Sequence, residues 1–579
     1  MLRLARYLKE FMLNITVGPL CKLTEAIFEL IVPLVMAEII DVGIKNGDRE
    51  YILKNGVILV ILAVCGLTFA LICQYMASVA SQGVGTRLRN DLYRHINTLS
   101  YKELDALGTA ALVTRISNDV NQVQTAVAML IRLVVRAPFL VIGATIMAFT
   151  ISARLSLIFL GSMTVIVLVM VPIMKATVKL FKKQQRSLDG ISRITRENLS
   201  GVRVVRAFAR QEHETERFEE TAEEYRKFAV HAGRINALLN PAIFIAVNVA
   251  YLLIVYFGGE FVGAGIDGLT QGKVIALVNY MTQISLALVV VANLVTIFTR
   301  AAASSARINE IFDMKPSIIG AESSPKTDPN APAVEFDNVS FSYIGGENSL
   351  EDISFSLGQG KTLGIIGGTG SGKTTLINLL CRFYDVSSGS VKINGADVRE
   401  YPTSELRRII GIVPQKVELL SGTLRDNMTF GKKSISDERI LKAIEVAQAA
   451  DFANDLDALV LQGGKNFSGG QKQRLTIARA IAQDPEILIL DDSSSALDYA
   501  TDAALRHELK KLPMTCVIVS QRANSIMHAD KIIVLDDGKA VGIGTHTELL
   551  KNCQVYHEIC ATQYSEEELA EQMSEQDKG

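Results

Sequence analysis

Six long apolar stretches in the first half of the chain constrain its fold more than any other feature. They lie at about 17–40, 56–78, 128–150, 155–178, 241–263 and 274–297, each near the ~20 residues that a helix needs to cross a bilayer core. No such stretch follows residue 300. The 579-residue chain is 49% hydrophobic and has a positive mean hydropathy, in agreement with a large membrane portion. The sequence therefore predicts six membrane spans followed by a separate domain.

The distribution of Lys and Arg predicts the orientation of these spans. The long connections 79–127 and 179–235 carry five and thirteen Lys and Arg residues, whereas the other three connections carry about five together. Positive residues favour the cytoplasmic side of a membrane. We therefore expect both long connections and both termini to be cytoplasmic. The opening segment 1–13 has scattered charges and no small-residue cleavage site, which favours an amphipathic surface helix over a cleavable signal peptide.

The two long connections are helical in pattern and contain almost no Pro or Gly, so we expect them to extend the membrane helices into the cytosol. Each contains a short kinked segment, at 108–120 and at 197–208. A short helix at the tip of a helical hairpin is suited to contact another domain. The alternative is a simple helix-to-helix turn.

Composition also predicts where the second domain begins. Residues 321–333 are rich in Pro, Ser and Asp without an apolar period, which is typical of an exposed linker. Strands then alternate with helices, as in an α/β nucleotide-binding domain. The predicted limits are a membrane domain at 1–315, a linker at 316–333, an α/β domain at 334–565 and a polar tail at 566–579.

Charge and cysteine content argue against other classes of protein. The net charge is −2, and nothing in the chain indicates a nucleic-acid partner. The seven cysteines form no C-x-x-C pair and no even framework at short spacing. Free thiols are therefore expected rather than a disulfide scaffold.

A glycine-rich loop follows the predicted strand 362–367 and opens a predicted helix. Its sequence, GGTGSGKT at 367–374, matches the G-x-x-x-x-G-K-[ST] pattern. Phosphate requires closely approaching backbone N–H groups, which glycines permit, and a helix N-terminus adds partial positive charge. We expect Lys373 to reach the β- and γ-phosphates of ATP and the Thr374 hydroxyl to bind Mg²⁺. The predicted nucleotide-binding residues of this phosphate loop are Gly367, Gly368, Thr369, Gly370, Ser371, Gly372, Lys373, Thr374 and Thr375.

Two adjacent acids end a second apolar run, EILILDD at 486–492. With a phosphate loop in the same domain, Asp491 is placed to hold Mg²⁺ through water and Asp492 to polarise the water that attacks ATP. Acids at a strand end also cap helices, and that interpretation would be preferred if the phosphate loop were absent.

The segment NFSGGQKQR at 466–474 resembles the signature sequence of the ATP-binding cassette (ABC) transporters. Its backbone opens a predicted helix and forms a second anion site. The resemblance implies that this segment closes over ATP held by a partner domain, through Ser468, Gly469, Gly470 and Gln471. It also implies that Tyr343 stacks on adenine, that Gln415 senses the metal and the attacking water, and that Asp498 contacts the opposite subunit.

Six spans followed by this cassette resemble an exporter half-transporter over essentially the whole chain. The resemblance implies ATP hydrolysis coupled to transport, with ATP and Mg²⁺ as cofactors, in the plasma membrane. It implies as partners the lipid bilayer, a second half-transporter and a small amphiphilic, drug-like substrate. Segments 108–120 and 197–208 would correspond to the coupling helices of the family.

Two residues depart from the pattern of the family. Asp492 stands where Glu is usual, and withdrawing a carboxylate by ~1 Å can cost ~10²-fold in rate. Gln521 stands where His is usual, and Gln cannot carry a positive charge. The signature itself differs only in Phe467, where Leu is usual. We therefore expect slow hydrolysis at this chain's own site and a competent site on a non-identical partner, as in bacterial heterodimeric multidrug exporters.

Two other functions fit the same features. A lipid flippase of this architecture would have the same sequence pattern, and a nucleotide-gated regulatory subunit is favoured by the altered Asp492 and Gln521.

The first span raises the question of substrate, because it carries acids at membrane depth. Glu25 and Glu29 lie four residues apart on one helical face, and such acids often line a transport pathway, here for cationic amphiphiles. The preferred alternative is that Lys22, Glu25 and Glu29 form a local charge set near the headgroups. Arg132 and Arg136, at the start of the third span, are expected to be anchoring or pairing residues.

Overall fold

The computed structural model describes residues 2–343, 346, 348–432, 434–565 and 569 and separates the chain into two units. The helical unit comprises Met1–Asn97 and Gly108–Met314, and the α/β unit comprises Thr98–Leu107 and Lys315–Gly579. The ten residues from 98 to 107 thus belong to the α/β unit, although they are surrounded in sequence by the helical unit. The predicted polar tail lies outside the described residues, except for Leu569.

Long helices build the helical unit. A 3₁₀ helix, Leu2–Phe11, is followed by α1 (Met12–Glu38), α2 (Arg49–Ile96), α4 (Thr109–Ile151), α5 (Ala153–Ser200), α6 (Val202–Ala207), α7 (Gln211–Gly263) and α8 (Gln271–Asp313). Helix α3 (Tyr101–Leu107) belongs to the α/β unit. The length of α2 and α5, 48 residues each, is more than twice what a bilayer core needs.

Five helices of the described chain are long and apolar enough to cross a membrane, namely α2, α4, α5, α7 and α8. Six spans were predicted. The remaining one corresponds to α1, which is 27 residues long but carries Lys22, Glu25 and Glu29. These charges separate α1 from the five apolar helices, and its crossing of the membrane stays a prediction.

The charges of α1 are paired within the helical unit. Lys22 Nζ donates to both carboxylate oxygens of Glu25, at 2.7 and 2.5 Å, and Arg136 Nη2 donates to both oxygens of Glu29, at 2.8 and 2.7 Å. The contact between Lys22 and Glu25 agrees with the expected local charge set, whereas Glu29 does not belong to that set and pairs with Arg136 of α4. Each acid is thus neutralised by a base.

The first hairpin tip lies about ten residues earlier than predicted. Helix α2 ends at Ile96, α3 occupies Tyr101–Leu107, and Gly108 adopts a left-handed backbone with φ of 74° before α4 begins. Residues 109–120, which were expected to form the tip, are continuous helix. The second tip matches its prediction at 197–208, because α6 is set off by Gly201 and by Ala209.

Two main sheets form the α/β unit. A four-stranded antiparallel sheet has the order β2–β1–β4–β5, and a six-stranded sheet has the order β12–β11–β3–β10–β9–β6, in which only β12 is antiparallel. A third sheet pairs β7 with β8. The strands are β1 Val334–Phe341, β2 Leu350–Leu357, β3 Thr362–Gly367, β4 Ser388–Ile393, β5 Ala396–Asp397, β6 Ile410–Val413, β7 Gly422–Thr423, β8 Leu459–Val460, β9 Ile487–Asp491, β10 Thr515–Val519, β11 Lys531–Asp536 and β12 Lys539–Gly544.

Helices cover the parallel strands and leave their carboxyl ends free. The helices are α9 Lys373–Leu380, α10 Thr403–Ile409, α11 Leu424–Thr429, α12 Asp437–Val446, α13 Gly469–Ala482, α14 Tyr499–Leu509, α15 His546–Asn552 and α16 Gln554–Ala561. Strands β3 and β9 are buried along nearly their whole length, as apolar runs of parallel sheets are. The loops that leave β3 and β9 therefore emerge at one edge of the sheet, and this edge positions the candidate site.

Within the helical unit, the Asp119 carboxylate is the buried centre of a polar cluster. It accepts hydrogen bonds from Ser304 Oγ at 2.8 Å and Arg307 Nε at 2.9 Å, and is 3% exposed.

We expect Asp119→Ala to lower the free energy of unfolding by about 2 kcal/mol, because both donors lose their acceptor, and to lower Tm in detergent by several degrees. The control is Glu223→Ala, which removes an exposed ion pair with Arg226 on α7 and should leave Tm nearly unchanged. Equal effects of the two substitutions would contradict this account.

Candidate functional site

The phosphate loop joins β3 to α9 in the way that its sequence predicts. A Cβ at Gly367 would lie 2.1 Å from the Leu535 carbonyl oxygen, so only glycine allows β3 and β11 to pack here. Gly370 and Gly372 have φ of +85° and +99°, which other residues rarely adopt. Gly372 is also the N-cap of α9 and places the helix N-terminus at the loop.

Lys373 lies over the loop that precedes it. Its Nζ donates to the carbonyl oxygens of Gly367 and Gly368, at 2.8 and 2.5 Å, and lies 3.3 Å from Ser371 Oγ. Burial lowers the pKa of Lys373, while the nearby carboxylates of Asp492 and Asp491 oppose this shift. A partly desolvated ammonium group at a helix N-terminus makes the loop a strong anion site.

Asp491 and Asp492 follow β9 at the same edge of the sheet. Asp491 is buried, and its pKa is raised to about 6 by this burial and by repulsion from Asp492, against the opposing effects of the Gln415 backbone and Lys373. Gln415 Nε2 donates to Asp492 Oδ2 at 3.3 Å. The structure thus brings Gln415, Lys373 and both acids together, as the sequence analysis expected.

Within the described residues, no cluster of three or more His, Cys, Asp and Glu side chains could hold a metal ion. The expected Mg²⁺ ligands are instead the Thr374 hydroxyl, the Gln415 amide and the Asp491 carboxylate. Oxygen donors of this kind fit Mg²⁺ when phosphate oxygens and water complete its shell. The raised pKa of Asp491 agrees with a carboxylate that a cation would stabilise.

Tyr343 lies beside the first turn of α9. Its hydroxyl is 3.4 Å from Thr375 Oγ1 and accepts a hydrogen bond from Asn378 Nδ2 at 3.3 Å. Its ring is 37% exposed and packs edge-on against Phe341 and Tyr384, at centroid distances of 4.8 and 5.2 Å. An exposed aromatic face next to the phosphate loop suits stacking on a base.

The signature residues open α13. Ser468 and Gln471 form a capping box, in which the Gln471 backbone N–H donates to Ser468 Oγ at 3.3 Å and the Ser468 N–H donates to Gln471 Oε1 at 2.9 Å. A Cβ at Gly470 would approach the Ala496 carbonyl oxygen to 2.9 Å, whereas Gly469 has open space around it. Packing therefore explains Gly470 and does not explain Gly469.

Three of the predicted sets stay apart from the phosphate loop. Among the described residues no hydrogen bond joins the loop to Ser468–Gln471, to Asp498 or to Gln521. Asp498 caps α14 by accepting from the Thr501 backbone N–H and Oγ1, both at 2.9 Å. Gln521 is exposed, and only its carbonyl oxygen is bonded, to Gln563 Nε2 at 2.9 Å.

Sequence reasoning missed the residues that hold Tyr343, namely Asn378 and Tyr384. Asn378 lies three residues beyond Thr375 on α9, so helical spacing from the phosphate loop could have indicated it. Tyr384 follows α9 in a loop, and no local pattern marks it.

Comparison with known proteins gives the same division of the chain. The family described as the ABC transporter transmembrane region matches residues 15–288, and the family described as ABC transporter matches residues 350–495. An uncharacterised ABC transporter ATP-binding protein of Mycobacterium tuberculosis is 36% identical over 97% of both chains. A second such protein, YfiB of Bacillus subtilis, is 34% identical over 97% of this chain and 98% of its own.

One relative has a named activity and one has a solved structure. The ATP-dependent lipid A-core flippase of Syntrophus aciditrophicus is 30% identical over 87% of this chain and 85% of the flippase. The structure of a bacterial Atm1-family ABC exporter with ATP bound matches with a TM-score of 0.77, at 24% identity over 97% of this chain and 99% of the other. The latter likeness shows a shared fold.

The raised pKa of Asp491 predicts a pH-dependent stability. A carboxyl group has a pKa near 3.9 when unfolded, so its ionisation destabilises the fold increasingly as pH rises from about 4 to 6, by about 3 kcal/mol at most above that range. Without nucleotide or Mg²⁺, we expect Asp491→Asn to raise Tm relative to the unsubstituted chain. This gain should grow between pH 5 and 7 and then stay constant.

Asp397→Asn serves as the matched control. Burial alone would raise the pKa of Asp397, but hydrogen bonds from Arg399 outweigh it and lower the pKa. Asp397→Asn should therefore lower Tm, with little change between pH 5 and 8. A gain for Asp491→Asn that is the same at pH 5 and pH 7 would contradict the assigned pKa.

Proposed function

Because this chain belongs to the ABC transporter family, as an exporter half-transporter with membrane and ATP-binding regions in one polypeptide, we propose that it exports hydrophobic or amphiphilic, drug-like compounds from the cell. The observation that carries this proposal is the edge where Lys373, Asp491 and Asp492 meet beside the α9 N-terminus. Such an edge binds a nucleoside triphosphate. The long apolar helices on the same chain would form the transport pathway that ATP hydrolysis drives.

The residues of the phosphate loop bind ATP in this proposal. Backbone N–H groups from Gly367 to Thr374 hold the phosphates, Lys373 leaves its loop carbonyls for the β- and γ-phosphates, and the Tyr343 ring stacks on adenine. Mg²⁺ bound by Thr374, Gln415 and Asp491 would neutralise phosphate charge. Asp492 would orient and polarise the attacking water, helped by Gln415.

Hydrolysis at this chain's own site is slow in this proposal. The Asp492 backbone N–H is tied to the Val519 carbonyl oxygen at 3.0 Å, and φ at Asp492 is 48°. A backbone held in this way cannot advance to compensate for the methylene that Asp lacks relative to Glu. The exposed Gln521 amide offers a hydrogen bond to phosphate but no positive charge.

A non-identical half-transporter completes the working unit in this proposal. A half-transporter requires a second half, and two copies of this chain would combine two slow sites. The capping box occupies the N–H groups of Ser468 and Gln471, so the N–H groups of Gly469 and Gly470 are the ones that α13 would offer to an anion. At the second tip, Val204 and Phe208 are 60% and 74% exposed, and an apolar tip of this kind suits docking on another polypeptide.

In the cell we place this protein in the plasma membrane, with both termini and both hairpin tips in the cytoplasm. The excess of Lys and Arg in the long connections supports this orientation. No role of nucleic acid enters the proposal.

Lipid flipping is the second candidate function, since a relative that is 30% identical is named as a lipid A-core flippase. The paired charges of α1 bear on this choice. Because Glu25 and Glu29 are neutralised by Lys22 and Arg136, the acids leave no excess negative charge for a cationic drug. A regulatory subunit with little turnover remains the third candidate, through Asp492 and Gln521.

Restoring both altered residues tests the slow site. We expect the full chain alone to hydrolyse ATP slowly, and Asp492→Glu combined with Gln521→His to raise kcat about tenfold or more, because a carboxylate displaced by ~1 Å can cost ~10²-fold. Adding Lys373→Ala to this pair should abolish the gain. Brisk hydrolysis by the unsubstituted chain would refute the slow-site proposal.

Gly469 allows a test of the partner site. Its Cβ position is open, so Gly469→Asp should fold normally, and an acid near a helix N-terminus even stabilises the helix. The added carboxylate would repel ATP held by the partner. With a second, non-identical half-transporter co-expressed, we expect ATPase activity to fall about 100-fold, whereas Gly469→Ala should change it little. Equal activity of both variants would exclude a role of this signature in hydrolysis.

A further inference from the structure

Helix α3 is joined to the α/β unit by side chains on one of its faces. The Tyr101 ring lies 4.5 Å from the Phe383 ring, between centroids. Just before α3, Ser100 Oγ accepts a hydrogen bond from the Ile318 backbone N–H at 3.1 Å. In sequence, α3 connects α2 to α4, two of the apolar helices. A segment between two membrane helices is therefore held by contacts within the α/β unit.

Asp105 makes the polar contact of this helix. The Tyr384 hydroxyl donates to Asp105 Oδ2 at 2.5 Å. Burial of Tyr384 raises its pKa, and the hydrogen bond to Asp105 raises it further. The hydroxyl therefore stays protonated at physiological pH and remains a donor. Asp105 itself is exposed, so the hydrogen bond holds the hydroxyl end of Tyr384 at the protein surface.

The ring of Tyr384 then fixes Tyr343. The two rings meet edge-on with centroids 5.2 Å apart, and Phe341 contacts both, at 4.8 Å from Tyr343 and 5.7 Å from Tyr384. Edge-to-face contacts of this kind set ring orientation as well as position. Beside these rings lies an open cleft of about 490 Å³, lined in part by Lys102 and Asp105. Packing therefore leaves the rings room to turn, and the hydrogen bond to Asp105 limits that freedom.

We propose that Asp105 and Tyr384 are positioning residues of the nucleotide site, which hold the Tyr343 ring in the orientation that stacks on adenine. The inference rests on the proposed binding of ATP at Tyr343. In this arrangement the adenine contacts Tyr343, Tyr343 contacts Tyr384, and Tyr384 is bonded to α3. Binding of the base therefore restricts α3, and displacement of α3 weakens binding of the base by the same factor. This coupling depends on the base of ATP and does not involve the phosphates.

The test is equilibrium binding to the full chain in lipid nanodiscs, with MgATP and with magnesium tripolyphosphate, which lacks the base. We expect Asp105→Ala and Tyr384→Phe each to weaken MgATP binding about fivefold, as loss of one hydrogen bond to a charged group does, and to leave tripolyphosphate binding unchanged. Asp105→Asn keeps an acceptor and should retain most of the affinity. Lys102→Ala, on the same helix and without a role in the ring contacts, is the control and should bind MgATP normally.

A double-mutant cycle separates positioning from general damage. In a Tyr343→Leu background, Asp105→Ala should cost nothing further, because its effect passes through the Tyr343 ring. A full additional loss in that background, or an equal loss of tripolyphosphate binding, would overturn the inference. If the unsubstituted chain bound tripolyphosphate as tightly as MgATP, stacking of Tyr343 on adenine would fail as a proposal in its own right.

Discussion

Burial of Asp491 beside a second carboxylate, opposed by one lysine, is the interaction on which the candidate site depends. The parallel order β3–β10–β9 brings Lys373 and the two acids to one edge. Because Asp491 is buried next to Asp492, its pKa rises to about 6. Ionisation of Asp491 at neutral pH therefore lowers the free energy of unfolding when no cation is bound. A cation between Asp491 and phosphate would remove this cost. Gly367 also contributes to this site, because it lets β3 pack closely against Leu535 and so places the phosphate loop within reach of the Lys373 ammonium group.

In the proposed function, the backbone at position 492 explains why a single methylene would matter. The bond from Asp492 N–H to Val519 binds this residue to β10, and its left-handed φ suits Asp better than most residues. The carboxylate meets the Gln415 amide at 3.3 Å, so the shorter acid is held at the edge of the site. As proposed, the site would keep its phosphate-binding parts while the carboxylate that activates water is withdrawn. These contacts support the proposal that the site holds ATP and cleaves it slowly.

Features encoded within one stretch of sequence were predicted well, and features that join distant stretches were not. Apolar length identified α2, α4, α5, α7 and α8, and local spacing identified the phosphate loop, because both depend on neighbouring residues. The first hairpin tip was misplaced because it was expected to begin at residue 108, whereas the chain already leaves the helix after Ile96 and Gly108 ends the tip. The bond from Tyr384 to Asp105 spans 279 residues, and no pattern in either segment announces it.

The two hairpin tips differ in a way that bears on how the halves of such a protein work together. Helix α3 is bound to its own chain's α/β unit through Tyr101 and Asp105, whereas α6 presents Val204 and Phe208 to solvent. Exposed apolar side chains are costly unless a surface covers them. In the proposed function, one tip would thus report on the nucleotide of its own chain and the other would dock on a partner. In the proposed function, a half-transporter that hydrolyses slowly would therefore still pass information about its bound ATP to the membrane helices, while the partner's site would supply the turnover.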